Sequence, residues 1–152
     1  MISQTIEYAL RAMNYLGGLA DEAANSQRIA AAILVPQGYL SKVLRDLVCA
    51  DLVRSNRGPH GGFRLARDPS AITLLEIVNA VDPIRRSETT PANHPLHSKL
   101  SAMRRCLDDA IEQLEATFQR TTLGMVLSRD SAGDNCHSVI PRPVTKHQKE
   151  HP

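Results

Sequence analysis

Gln37, Ser41, Lys42 and Arg45 share one face of a short segment, and Arg57, Gly58, His60, Gly61 and Gly62 follow close behind. Amides, hydroxyls and cations in this arrangement donate hydrogen bonds rather than break covalent bonds. Gln pairs bidentately with adenine, Lys donates to guanine, and Arg45 is better spaced for a phosphate. The chemistry on offer is recognition of a polyanion. Nothing in the chain sets a nucleophile beside a base, frames paired carboxylates with glycine or forms a phosphate loop, so the sequence does not read as an enzyme. The net charge of +2 is too mild to decide the partner. Between positions 36 and 67, however, six basic side chains (Lys42, Arg45, Arg54, Arg57, Arg64, Arg67) face only Asp46 and Asp51.

The rest of the segment holds these groups in place. Leu40, Val43, Leu44, Leu47 and Val48 recur at three and four, the period of one buried helical stripe, which places the polar set on the outer face. After Asp51 the pattern changes to period two through Leu52-Val53-Arg54-Ser55, breaks over positions 57–62 and resumes at Phe63-Arg64-Leu65: a strand, a turn and a returning strand. A basic helix leading into a basic hairpin is a winged helix-turn-helix. Gln37, Tyr39, Ser41 and Lys42 then lie near the base edges of a major groove. Arg57 reaches into or along the minor groove with Arg64 in support. Gly58, Gly61 and Gly62 either let the tip approach the sugar-phosphate edge or simply make an ordinary hairpin turn. His60 at the tip either touches phosphate or is merely exposed.

The flanking sequence supplies the frame. Ser3 caps a helix over positions 3–19, with Ile6, Leu10, Met13, Leu16 and Leu19 on its core face and Gly17-Gly18 near its end. Asn25-Ser26 caps a helix over 27–34, the first of the helix-turn-helix, where Ser26 and Gln27 meet phosphate at the helix start. Ser70 caps a further helix running to Val81, packed by Leu74, Leu75, Ile77 and Val78. A polar, proline-flanked loop follows. A long helix then begins at His94-Pro95, with Leu96, Leu100, Met103, Leu107, Ile111, Leu114 and Phe118 on one stripe of about 33 Å. So long a stripe beyond a complete winged-helix core is suited to burial on a second chain. The expected divisions are a DNA-binding domain over 1–81, a loop over 82–94, a dimerisation helix and short closing helix over 95–128, and a disordered tail over 129–152, which is polar and rich in Pro and His.

Tyr39-Leu40, Leu44, Leu47, Leu52-Val53, Ser55 and Arg57-Gly58-x-x-Gly61-Gly62-Phe63-x-Leu65-Ala66 resemble the bacterial winged-helix regulators that include IscR, NsrR and CymR, the Rrf-two type. The opening run from Thr5 to Arg11 and the run from Ile72 to Asp82 resemble that family's first helix and its helix after the wing. The resemblance implies a homodimer crossing at Leu100, Met103, Leu107, Ile111, Leu114 and Phe118, with the partner's first helix joining the contact. It also implies an iron–sulfur cluster on three cysteines of the loop, and here the sequence departs. The loop has no cysteine: His97 stands at the family's His, and His94 where the last Cys would be. A cluster would therefore need non-standard ligands, and no cofactor is expected. Either His94 and His97, at i and i+3, share a zinc or iron ion with Glu7 or Cys106 of either chain, or both histidines are simply surface residues.

Cys49, Cys106 and Cys136 are odd in number and widely spaced, which fits neither a secreted disulfide framework nor a zinc ribbon. Cys49 and Cys106 read as packed, Cys106 becoming a redox thiol if it is exposed at the dimer seam, and Cys136 as the more accessible thiol. With no signal peptide or membrane-length apolar run, the expected location is the cytoplasm. The combined expectation is a mainly α winged-helix homodimer that binds double-stranded DNA at pseudo-palindromic sites and represses transcription. The alternative is a protein-interaction adaptor on the same scaffold. The signal is left open between a small-molecule effector, a thiol switch and a partner protein.

Overall fold

A computed structural model describes residues 3–20, 22–58, 61–84 and 97–131, without the side chains of 97–100 and 130–131. Ser3 accepts a hydrogen bond from the Ile6 amide at 3.3 Å and starts α1, Gln4–Gly17. The helix stops short of position 19, with Gly18, still in right-handed backbone, as its C-cap and Ala20 beyond it at φ 44°. Ile6, Ala9, Ala12, Met13 and Leu16 are its buried face, with Leu10 and Leu19 at the margin. Gly17 has a packing role: a Cβ there would lie 2.7 Å from Leu127 Cδ1 of the last helix.

Asn25 caps α2, Ser26–Ile33, by accepting from the Arg28 amide at 2.7 Å. Leu34 then takes a left-handed conformation at φ 57°, Val35 drops into the core, and Pro36 leads into α3, Gln37–Cys49. That tight connection sets the two helices of the helix-turn-helix. Asp51, at φ 55°, redirects the chain into β1, Val53–Asn56, which pairs antiparallel with β2, Gly62–Leu65, in the register Val53 to Leu65, Arg54 to Arg64, Ser55 to Phe63 and Asn56 to Gly62. Ala24 closes the outer edge of β2 through two hydrogen bonds with Phe63, at 3.0 and 2.8 Å.

The start of the next helix differs from expectation. Asp68 accepts from both the amide and the hydroxyl of Ser70, which shapes a 3-10 turn at Pro69–Ala71 and takes Ser70 out of use as a cap. The chain restarts at Thr73, and α4 is Leu74–Val81. Thr73 accepts from the Glu76 amide at 3.2 Å while Glu76 accepts from the Thr73 amide at 2.8 Å, a reciprocal capping box. Of the loop expected over 82–94, residues 85–94 lie outside the described residues, as do Pro95 and Leu96, expected at the start of the long helix.

The long helix α5 is His97–Arg120, and α6 is Leu123–Ser131. Arg129, expected in the tail, is therefore helical; the tail from 132 onward lies outside the described residues. Between the two helices the backbone returns to the winged-helix unit. Leu74 N–H donates to Thr121 C=O at 2.9 Å and Leu123 N–H to Ile72 C=O at 2.8 Å. Leu123 is buried among the core residues, so the closing helix shares the core rather than belonging with α5 alone. Met13, Ile29, Leu40, Leu44, Leu47, Leu52, Ile72, Ile77 and Leu123 form the fully buried centre, each contributing roughly 1.5–3 kcal/mol by leaving water.

Candidate nucleic-acid interface

Burial of Leu40, Val43, Leu44 and Leu47 orients α3 and leaves Gln37, Tyr39, Ser41, Lys42 and Arg45 exposed on the opposite side. Gln37 Nε2 donates to Ser26 Oγ at 3.5 Å, which brings the first residues of α2 and α3 together; Gln27 is exposed beside them. The Ser41 hydroxyl donates back to the Gln37 carbonyl at 2.9 Å. Tyr39 is less free than its sequence position suggested. Its hydroxyl lies 2.5 Å from Thr5 Oγ1 and its ring meets Tyr8 edge-on at 5.5 Å between centroids. Gln4 Nε2 in turn donates to the Tyr8 hydroxyl at 2.6 Å. Tyr39 thus braces α3 on α1, and its polar atom is already engaged.

On the wing, Arg57 is exposed next to Gly58, which adopts φ 117°. His60 lies outside the described residues. Gly61 and Gly62 have reasons within the fold. A Cβ on Gly61 would sit 2.4 Å from the Asn56 carbonyl oxygen, and one on Gly62 would sit 2.7 Å from the Ala24 backbone. The hairpin itself demands both glycines. Arg54 and Arg64, counted in the sequence only as charge and as a support, form a directly opposed cross-strand pair. Val53, Phe63 and Leu65 pack on the core, so period-two alternation turns the two arginines to the other face. Like charges so placed repel, and they are stabilised when an anion lies over them. Strand register carried that signal.

Within the winged-helix unit the described cations divide into two groups. Among the described residues, Arg11 pairs with Glu7, Arg28 with Glu22 and Arg67 with Glu76. Lys42, Arg45, Arg54, Arg57 and Arg64 make no ion pair, and Arg64 Nε is buried without an acceptor. Arg67, counted with the reading surface in the sequence, belongs instead to the start of α4, where its guanidinium lies 2.7 Å from Glu76. Partial burial alone would raise the Glu76 carboxyl; the Thr73 amide, Arg67 and the Thr73 hydroxyl together hold it below its ordinary value.

The α5 stripe is open. Met103, Leu107 and Leu114 are 65%, 58% and 42% exposed, with Ile111 and Phe118 half-buried; Leu100 is on the helix, its side chain outside the described set. Met125 of α6 adds a further exposed apolar side chain. Cys49 and Cys106 are both exposed, against the expectation that they pack: Cys49 falls beside the buried stripe of α3, and Cys106 lies on α5 next to stripe residues Met103 and Leu107 that are themselves exposed in the single chain. Of the metal candidates, Glu7 is held by Arg11, His94 lies outside the described residues, and His97 opens α5 with its side chain undescribed. Among the described residues no three His, Cys, Asp or Glu side chains gather as a metal would require. No helix among them is long and apolar enough to cross a membrane.

Comparison with known proteins agrees with this architecture. The family described as "Rrf2: Iron-dependent Transcriptional regulator" matches residues 2–129. The HTH-type transcriptional regulator NsrR of Geobacillus kaustophilus is 36% identical over 77 residues, which is 50% of this chain and 52% of that protein. The chain spans about half the length of the first curated relatives it matches. Among solved structures, CymR (YrzC), the global cysteine regulator of B. subtilis, superposes with a TM-score of 0.66 at 26% identity, over 84% of this chain and 96% of that one. IscR of T. potens gives a TM-score of 0.70 at 21% identity, over 88% and 90%, which shows the shared fold. The iron in the family's description is not matched by a thiolate donor set here: positions 82–94 contain no cysteine, and the two described thiols are single residues on α3 and α5. Thiolates hold iron–sulfur clusters, and oxygen donors are poor replacements. The match itself runs from the first helix through the wing and the long helix, and on that footing the chain belongs to the Rrf2 family of transcriptional regulators.

Proposed function

We propose that the protein is a DNA-binding transcriptional regulator that acts in the cytoplasm as a homodimeric repressor. It reads pseudo-palindromic duplex sites with α3 in the major groove and the Arg57-Gly58 wing near the minor groove. One observation carries this reading: within the winged-helix unit, the described cations of α3 and the wing all lack a carboxylate partner, whereas Arg11 of α1, Arg28 of α2 and Arg67 before α4 are paired; the other described cations without an ion pair, Arg104, Arg105, Arg120 and Arg129, lie on α5 and α6, away from the reading unit. A protein-contacting adaptor has no need of five uncompensated cations on one reading unit; phosphates do. The open stripe of Met103, Leu107 and Leu114 supports pairing through α5, and two-fold pairing matches half-sites about one helical turn apart.

Regulation in this reading does not pass through a cluster held by loop thiolates. Protein purified without oxygen is expected to lack stoichiometric iron and sulfide, and a coloured protein carrying both would reverse that. The functional test is titration of the protein with duplex from its own upstream region, by fluorescence anisotropy over a range of salt. Affinity should fall steeply with salt, and Leu107→Glu should convert the dimer to a monomer in sedimentation and abolish tight binding. A monomeric wild type, or one that ignores duplex at low salt, would refute the proposal.

A further inference from the structure

Four glycines lie on the proposed reading elements, and three of them are explained by the fold. Gly58 has φ 117°, Gly61 would clash with Asn56, and Gly62 has φ 151° and would clash with Ala24. Gly38 is different. It occupies the first turn of α3 in ordinary helical backbone, is exposed, and a Cβ built there would find nothing within 4 Å. Apart from proline, glycine is the residue a helix tolerates least, because it loses the most backbone freedom on ordering. No turn, close contact or left-handed angle within the chain offsets that loss.

The surroundings of Gly38 are the proposed reading residues. Gln37 precedes it, Ser41 and Lys42 follow one turn later, and all three are exposed. Tyr39, bonded to Thr5 and packed edge-on against Tyr8, fixes this turn against α1. A rigidly held helix start with a missing side chain on an open surface is a place where something from outside comes close to the backbone.

We infer that Gly38 marks the closest approach of α3 to the duplex. Its absent Cβ leaves room for a nucleotide to lie in van der Waals contact with the helix backbone, and so sets the depth of Gln37, Ser41 and Lys42 in the groove. Gly38 is a specificity-determining residue of the interface, and this rests on the reading of the protein as a duplex-DNA binder.

The test replaces it in steps, Gly38→Ala and Gly38→Leu, in the full chain. Removing a first-turn glycine at an open position is expected to raise the Tm of both variants, by about 2 °C at most. Affinity for the wild-type operator should nevertheless fall about tenfold for Ala and further for Leu. A fall that is equal across base-substituted operators assigns the contact to the sugar-phosphate strand; one confined to a single base pair assigns it to a base edge. The inference is overturned if both variants bind as the wild type does, or if Gly38→Ala lowers the Tm, which would return the glycine to a role in the fold. Wild-type protein bound to the same duplex separates these outcomes from failure of the broader reading.

Discussion

Two helix starts in the same unit are built in opposite ways. At α4 every strong group meets a partner in the chain: Thr73 and Glu76 cap each other, and Arg67 closes on the Glu76 carboxylate. At α3 the N-cap is Pro36, which makes no side-chain hydrogen bond, and the cations that follow on the helix and wing have no counter-ion among the described residues. The first arrangement is internal electrostatics, favourable in the isolated fold. The second leaves capacity that is realised only when an anionic partner arrives. Stability and recognition are thus separated between neighbouring elements, and mutations should separate them too.

The strongest test of that separation is Lys42→Ala combined with Arg57→Ala. Operator affinity is expected to fall about thirtyfold or more, with a shallower salt slope and a urea midpoint close to wild type. A loss of stability equal to the loss of binding would erase the contrast. Thr73→Ala works from the other side. Loss of the cap should lower stability by about 1 kcal/mol while leaving DNA affinity unchanged.

The Glu76 carboxyl, held below its ordinary value in the folded state, gives the same side a pH signature. Its contribution is complete above the unfolded glutamate value of about 4.3 and disappears as pH falls through the lower folded value. Urea unfolding of Glu76→Gln should therefore show a deficit at neutral pH that shrinks in acid. A deficit independent of pH would assign the effect to packing. The smallest expected change is at the wing: Arg54→Thr, by relieving its opposition to Arg64, should stabilise the fold by a few tenths of a kcal/mol and flatten the salt dependence of binding by about one phosphate.

The sequence was most readable where one period governs one element. The stripe through Leu40, Val43, Leu44 and Leu47 fixed the outward face of α3, and alternation about the glycine-rich break fixed the wing. The start of α4 was misread although its signal was present: Thr73-Leu74-Leu75-Glu76 has capping-box spacing, but Ser70 stood earlier in the chain and its capture by Asp68 was not visible. Tyr39 is exposed as expected, but the engagement of its hydroxyl was not legible because its partner Thr5 lies thirty-four positions away, on a different helix. The docking of Leu123 beside Ile72 is likewise a long-range pairing with no local trace. Gly38 went unremarked because a glycine acquires meaning only once its surroundings are known to be empty.

The return of the chain at Thr121 and Leu123 has a mechanical outcome. With the end of α5 hydrogen-bonded to the segment before α4, and Leu123 buried beyond it, the long helix is pinned at that end to the same body that carries α3. To swing the helix independently would shear a buried leucine from its site, at roughly 1.5–3 kcal/mol before any hydrogen bond is broken. Torque carried along α5 is therefore delivered, at this junction, to the body that holds α3.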